Sequence, residues 1–261
     1  MPEQSLNEVA PAPPTRASLR ARTAEKLASP ADWRWGGHTV AVWNAWLAAG
    51  ALISLVAAVL VRATITLVWP SPWAATIGTV LLWVGLAVPV VWALTRSRPA
   101  GLLRLHPLDF LYAVVLGGVL RVVQGWIQPG VAVFPSYPLV DGRLAAEWWL
   151  IDGVGAVVVS PAVEEFFYRA VLLIALYVIL RRALGNVVAG GAALLITTGL
   201  FVLVHALTTT PTADAALSLT LLGLVCGLLV LLTGRIWGAV LVHLVFNATF
   251  VLLALTGTFL G

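Results

Sequence analysis

Charge is what this sequence has least of. Only 10% of its 261 residues are Asp, Glu, Lys or Arg, 61% are hydrophobic, and the mean hydropathy is +0.99. Soluble domains carry about 25% charged residues, so a water-solvated globule is excluded and lipid is the solvent. Strict apolar–polar alternation in segments of about ten residues is missing too, which excludes a transmembrane barrel. Every backbone polar group in hydrocarbon needs an internal partner, so helix is what remains. Cysteine is reduced to Cys226, which rules out an intramolecular disulfide and a cysteine-rich metal site. It lies in an apolar run without a His or acid nearby and reads as a buried thiol. HExxH is absent, and no close-spaced ligand pair on one helix marks a zinc site. No signal peptide is apparent, because the first apolar run begins only near Thr39 and is long enough to span.

What is present is a series of apolar runs rich in Leu, Val and Ala. They predict an all-α, polytopic transmembrane helix bundle. Seven spans follow by length and turn signals, at roughly 39–62, 73–95, 108–128, 148–182, 187–207, 215–233 and 236–257. The fourth, of about 35 residues at 1.5 Å each, exceeds the 30 Å hydrocarbon core. Pro161 inside it is expected to kink or split it, so an eighth short segment is allowed. Residues 1–38 form a Pro- and Ala-rich basic leader, expected to be disordered. It ends in Trp33–Arg34–Trp35, which reads as an interfacial anchor. Three domains result: the leader 1–38, the first three helices 39–147, and a core 148–261 that carries the chemistry.

Basic residues set the orientation. With a cytoplasmic leader, eleven lie inside (Arg16, Arg20, Arg22, Lys26, Arg34, Arg96, Arg98, Arg104, Arg181, Arg182, Arg235) and Arg143 lies outside. The N-terminus is therefore predicted inside and the C-terminus outside. The pI near 9.8 is a topology signal. Nucleic-acid binding would need basic residues clustered on one folded face, and these are spread through loops. Composition rich in Ala, Gly and Arg with a single lysine points to a GC-rich prokaryotic source and hence its plasma membrane. Arg62, Arg121 and Arg169 remain, and all three lie in apolar runs, where charge is costly unless paired or hydrated. Arg62 sits near a span end and is expected to snorkel. Arg121, on one face with Gln124 and Gln128, is expected to pair with Asp152 on the next span.

The densest chemistry is Pro161-Ala-Val-Glu164-Glu165-Phe-Phe-Tyr-Arg169. Glu165 and Arg169 are i,i+4 on a helix and can pair. Glu164 points about 100° away without that partner, and is suited to accepting a proton from water. Taken alone, the segment fits equally a structural Glu–Arg clasp with a second, snorkelling Glu. His205 and His243 sit in apolar spans, and His243 shares a helical face with Asn247. A carboxylate, two imidazoles and a carboxamide are the parts of a hydrolytic site.

These residues resemble the CPBP family of CAAX-processing prenyl endopeptidases and bacteriocin-processing proteins, whose motifs are EExxxR, FxxxH and HxxxN. Here they read Glu164-Glu165-x-x-x-Arg169, Phe201-x-x-x-His205 and His243-x-x-x-Asn247, over about 148–257. The resemblance implies an intramembrane endopeptidase cutting a membrane-tethered peptide or protein, lipidated or a bacterial peptide precursor. Glu164 and His205 would activate water, His243 and Asn247 would stabilise the oxyanion, and Glu165 and Arg169 would orient them, without an acyl-enzyme. A cofactor is not required by this scheme. The metal alternative, zinc bound by Glu164, His205 and His243, is less favoured. Competing readings are a non-enzymatic scaffold or immunity protein of the same family, and a proton-coupled transporter, although the paired broken helices of transporters are missing. One expectation conflicts with the rest. Counted from span ends, Glu164 and His243 fall in the inner half of the membrane and His205 near the outer end. A common site then requires the fifth helix to start deeper, or segment 207–214 to dip into the bilayer.

Overall fold

The computed structural model describes residues 32–35, 37–128, 134–209 and 211–260. The first 31 residues of the expected leader lie outside them. Among the described residues six helices are long and apolar enough to cross a membrane: α1 Ala45–Val68, α2 Ala74–Arg96, α3 Pro107–Ile127, α4 Trp149–Thr209, α5 Ala213–Thr233 and α6 Trp237–Leu260. The bundle is all-helical, and the protein is an integral membrane protein. Six continuous helices stand where seven or eight spans were expected, because α4 carries both the fourth and the fifth expected stretches. That helix runs for 61 residues with one non-helical residue, Gly185, at φ 73° and ψ 172°. Glycine takes this positive φ at no steric cost.

Gly185 folds α4 into two arms, 149–184 and 186–209. Leu173 and Leu194 both lie against Gly227, and Arg169 and Thr198 both lie against Gly223, so the arms are antiparallel. Continued along both arms, this register brings Glu164 level with His205. The depth conflict disappears. Glu164 lies about twenty residues, roughly 30 Å of helix, before Gly185, in the half of the bundle away from Arg181 and Arg182. Counting from the ends of a stretch longer than a span misplaces it. The start of α5 is also recessed. Cys226 Sγ donates to the Ala239 carbonyl at 3.6 Å. That contact sets the start of α5 level with about residue 252 of α6, roughly two turns short of its end.

Pro161 does not split α4. The helix instead widens into π-helical turns over Trp149–Val159 and Phe166–Leu172, flanking an α-helical insert, Ser160–Glu165. A proline ring clashes with the carbonyl one turn back, and wider turns accommodate it.

Segment 33–44 differs from expectation as well. It forms two short 3₁₀ turns, and α1 begins only at Ala45, where Asn44 accepts from the Trp46 and Leu47 amides. Trp33 is no interfacial anchor: it is fully buried, and its Nε1 donates to the Gly234 carbonyl at 3.0 Å. Arg34 donates to the Leu232 carbonyl, and Tyr177 donates to the Arg34 carbonyl at 2.5 Å. The segment thus clasps the Gly234 end of the bundle, and of the two tryptophans only Trp35 faces outward. Nearby, Asp109 caps α3 by accepting from the His106 amide at 2.8 Å and pairs with Arg235 at 2.9 Å.

The expected Arg121–Asp152 pair does not form. Arg121 donates to the Phe246 carbonyl, to Thr249 Oγ1 at 3.2 Å and to Gln124 Oε1, with its guanidinium over the rings of Phe246 and Phe250. Neutral oxygens and aromatic faces on α6 take the place of a carboxylate. Asp152 instead lines a cavity with Arg62, Thr79 and Glu164.

Candidate active site

Glu164 and Glu165 sit in the α-helical insert of α4, one turn past Pro161. Adjacent residues diverge by about 100°, and the two carboxylates enter different surroundings. Glu165 is fully buried: its Oε1 accepts from Arg169 Nη1 at 3.1 Å and from His243 Nδ1 at 2.9 Å. The i,i+4 pair expected from spacing is present, and it reaches on to His243. Arg169 is fully buried with its guanidinium 4.6 Å above the Phe201 ring. Gly223 makes room for it, since a Cβ there would lie 3.1 Å from Arg169 Nη2.

Glu164 faces a cavity of about 200 Å³ that His205 also lines. Ser160, four residues before Glu164, donates to its Oε1. Trp83 Nε1 donates in turn to Ser160 Oγ at 3.2 Å. Sequence reasoning misses Ser160, although its i,i+4 spacing from Glu164 is a signal that could find it. Tyr168 lines this cavity, and its ring packs against that of Phe201, both buried, with centroids 5.5 Å apart. Its other lining residues, Thr208, Thr209, Thr79 and Asp152 among them, lead away from Gly185 to the opposite end of the bundle.

Phe201 also organises the histidines. Its ring lies 4.5 Å from the His205 ring and 5.9 Å from the His243 ring. Its carbonyl faces His205 Nδ1 at 2.9 Å. A carbonyl only accepts, so Nδ1 carries the hydrogen and a neutral His205 presents a bare Nε2. His243 is buried with Nδ1 on Glu165, and its Nε2 stands 4.0 Å from Glu164 Oε2.

Asn247 is held by an effect of Pro161. The Ser160 amide bonds the Gly155 carbonyl in π-helical fashion. The next donor in that series would serve Ala156, but Pro161 has no N–H. The Ala156 carbonyl is left without a helical donor, and Asn247 Nδ2 donates to it at 2.8 Å. Buried backbone acceptors rarely go unpaired, so the proline and the asparagine are complementary. Pro161→Ala restores the backbone donor and is expected to loosen Asn247. If Asn247 takes part in catalysis, the rate falls about tenfold without loss of thermal stability, and little further when combined with Asn247→Ala. Fully additive effects in that double mutant would separate the two residues.

The structure therefore gathers Glu164, Glu165, Arg169, His205 and His243 near Phe201, and ties Asn247 to the same helix about two turns earlier. Residues 146–249 match the sequence model of the family described as Rce1-like, type II CAAX prenyl endopeptidase Rce1-like. Over this segment the chain is similar to the Rce1-like family. At the level of the family, the match supports a CAAX-type intramembrane protease. The Rce1-like segment covers less than half of the chain and contains all six residues just described, whereas α1, α2 and α3 lie outside it. No curated protein and no solved structure matches the chain.

Proposed function

We propose that the protein is an endopeptidase that hydrolyses a peptide bond of a membrane-tethered peptide or protein, lipidated or not, by direct attack of water. The observation that carries this reading is the cavity shared by Glu164 and His205, with His243 Nε2 4.0 Å from the same carboxylate. Glu164, with the bare Nε2 of His205, takes a proton from water as its oxygen bonds to the scissile carbonyl carbon. His243 donates Nδ1–H to Glu165. Its Nε2, on the Glu164 side, is placed to donate to the developing oxyanion when it carries a hydrogen. Asn247 keeps a second amide hydrogen for the same purpose. When the tetrahedral species collapses, the C–N bond breaks and the proton passes to the leaving amine.

Glu164, His205 and His243 are the side chains that would hold a zinc ion. Among the described residues no three His, Cys, Asp or Glu side chains are gathered as a ligand group. Both imidazoles hold Nδ1 on another group and leave Nε2 free, an arrangement that metal-binding histidines also use. The metal-free scheme is the one we favour, and no step is routed through a metal.

The orientation we infer puts the N-terminus and the Arg181–Arg182 end in the cytoplasm, in keeping with the basic-residue bias. The cavity then opens to the outer side. Purified protein, reconstituted right-side-out in vesicles with an acylated peptide in the outer leaflet, should cleave it. Activity should survive complete chelation and fall to background in His205→Ala. Cleavage restored only by added Zn²⁺, or only of peptide in the inner leaflet, would overturn the corresponding part of this reading.

A further inference from the structure

Of the arginines inside the bundle, Arg62 is left with the poorest set of partners. Arg169 has Glu165, Arg235 has Asp109, and Arg121 has a carbonyl, two polar side chains and two aromatic faces. Arg62 donates to one neutral hydroxyl, Thr79 Oγ1, and among the described residues it meets no carboxylate and no ring. A guanidinium has five donors, and an intramembrane cation is costly unless paired or hydrated. Asp152 lines the same cavity, but no ion pair joins the two. Simple snorkelling does not describe this placement, because the Arg62 stem is packed inward across α2. A Cβ at Gly78 would lie 3.2 Å from its Cγ, so the sequence leaves room for the stem there.

The position is at a junction. Arg62 and Thr208 line both the cavity of Glu164 and His205 and a second one of about 510 Å³ between α1 and the outer arm of α4. The second cavity is walled by Val59, Ala63, Leu67 and Leu207 and suits an acyl chain. A tethered substrate moving from lipid toward Glu164 passes Arg62.

We propose that Arg62 is a specificity residue that binds a carboxylate of the substrate at the junction of the two cavities. The proposal rests on the peptidase reading above, but its test does not need turnover. The probes are N-lauroyl-D-leucine and its primary amide, bound to the full-length protein in phosphatidylcholine nanodiscs and followed by tryptophan fluorescence. The acid should bind about tenfold more tightly than the amide, the scale of a hydrogen bond to a charged group. Arg62→Gln should bring the two within twofold, and Arg62→Lys should keep part of the preference, each variant first matched to wild type in thermal midpoint. Equal binding of acid and amide to wild type, or an undiminished preference in Arg62→Gln, overturns the proposal. Binding of phosphatidylglycerol that depends on Arg62, with acid and amide bound equally, assigns the position to a lipid headgroup and overturns it too. Loss of proteolysis in wild type with the acid preference intact would instead remove the enzymatic reading and leave the anion site.

Discussion

Replacing Glu164 by glutamine is expected to lower the cleavage rate about a thousandfold while leaving the protein folded. General-base catalysis contributes about 10²–10⁴ in rate, and a thousandfold loss corresponds to about 4 kcal/mol of transition-state stabilisation. Glutamine keeps the shape of the side chain and an oxygen for the Ser160 hydroxyl, so packing around this residue, only 8% exposed, is preserved. It cannot take a proton from water. If Glu164 merely braced α4, the loss would appear in thermal stability and the rate per folded molecule would persist. The pair of readouts therefore separates a base from a brace, and cleavage within a few-fold of wild type would sink the mechanism. The same comparison with His205→Ala distinguishes one base from two acting together.

The second large effect concerns stability. Arg169→Ala leaves Glu165 fully buried with His243 as its remaining partner. Stranding one member of a buried ion pair costs about 3–5 kcal/mol, enough to abolish folding in many proteins of this size. The double variant Glu165→Leu/Arg169→Met removes both charges and keeps apolar volume, and a thermal midpoint near wild type is expected. Cleavage should nevertheless remain lost, because His243 Nδ1 has lost the carboxylate that orients it. The pair is poorly satisfied as a stabilising device: Glu165 Oε2 and Arg169 Nε and Nη2 meet no donor or acceptor among the described residues. Recovery of both stability and activity in the double variant would assign Glu165 to packing alone.

Much of this arrangement is legible in residue spacing. The Glu165–Arg169 pair follows from i,i+4 separation, and the burial of the run around it follows from apolar composition. Placing His243 and Asn247 on one face needs only the helical period. What spacing does not carry is what lies across the bundle. Counting residues puts Arg121 and Asp152 at similar depth, but a carbonyl and two phenyl rings on α6 satisfy the arginine instead, and backbone oxygens leave no mark in a sequence. Tryptophan as a class favours the headgroup layer, whereas a carbonyl of the α5–α6 turn draws Trp33 inward. The level of Glu164 relative to His205 escapes counting because α4 is longer than the bilayer it crosses. The Ala156–Asn247 bond is hidden for a subtler reason, since it depends on π-helical register ahead of Pro161.

The reversal at Gly185 bears on how such a protein enters a membrane. The EExxxR and FxxxH residues are two arms of one helical hairpin, joined through contacts less than about forty residues apart in the chain, so they can meet while α5 and α6 are still being synthesised. Local contacts of this kind form early. At that moment Glu165 would face hydrocarbon without His243, which arrives only with the last helix. Arg169, four residues away on the same arm, travels with it. The arm therefore inserts with that carboxylate already neutralised, and the final helix delivers an imidazole to an acceptor that has waited in place.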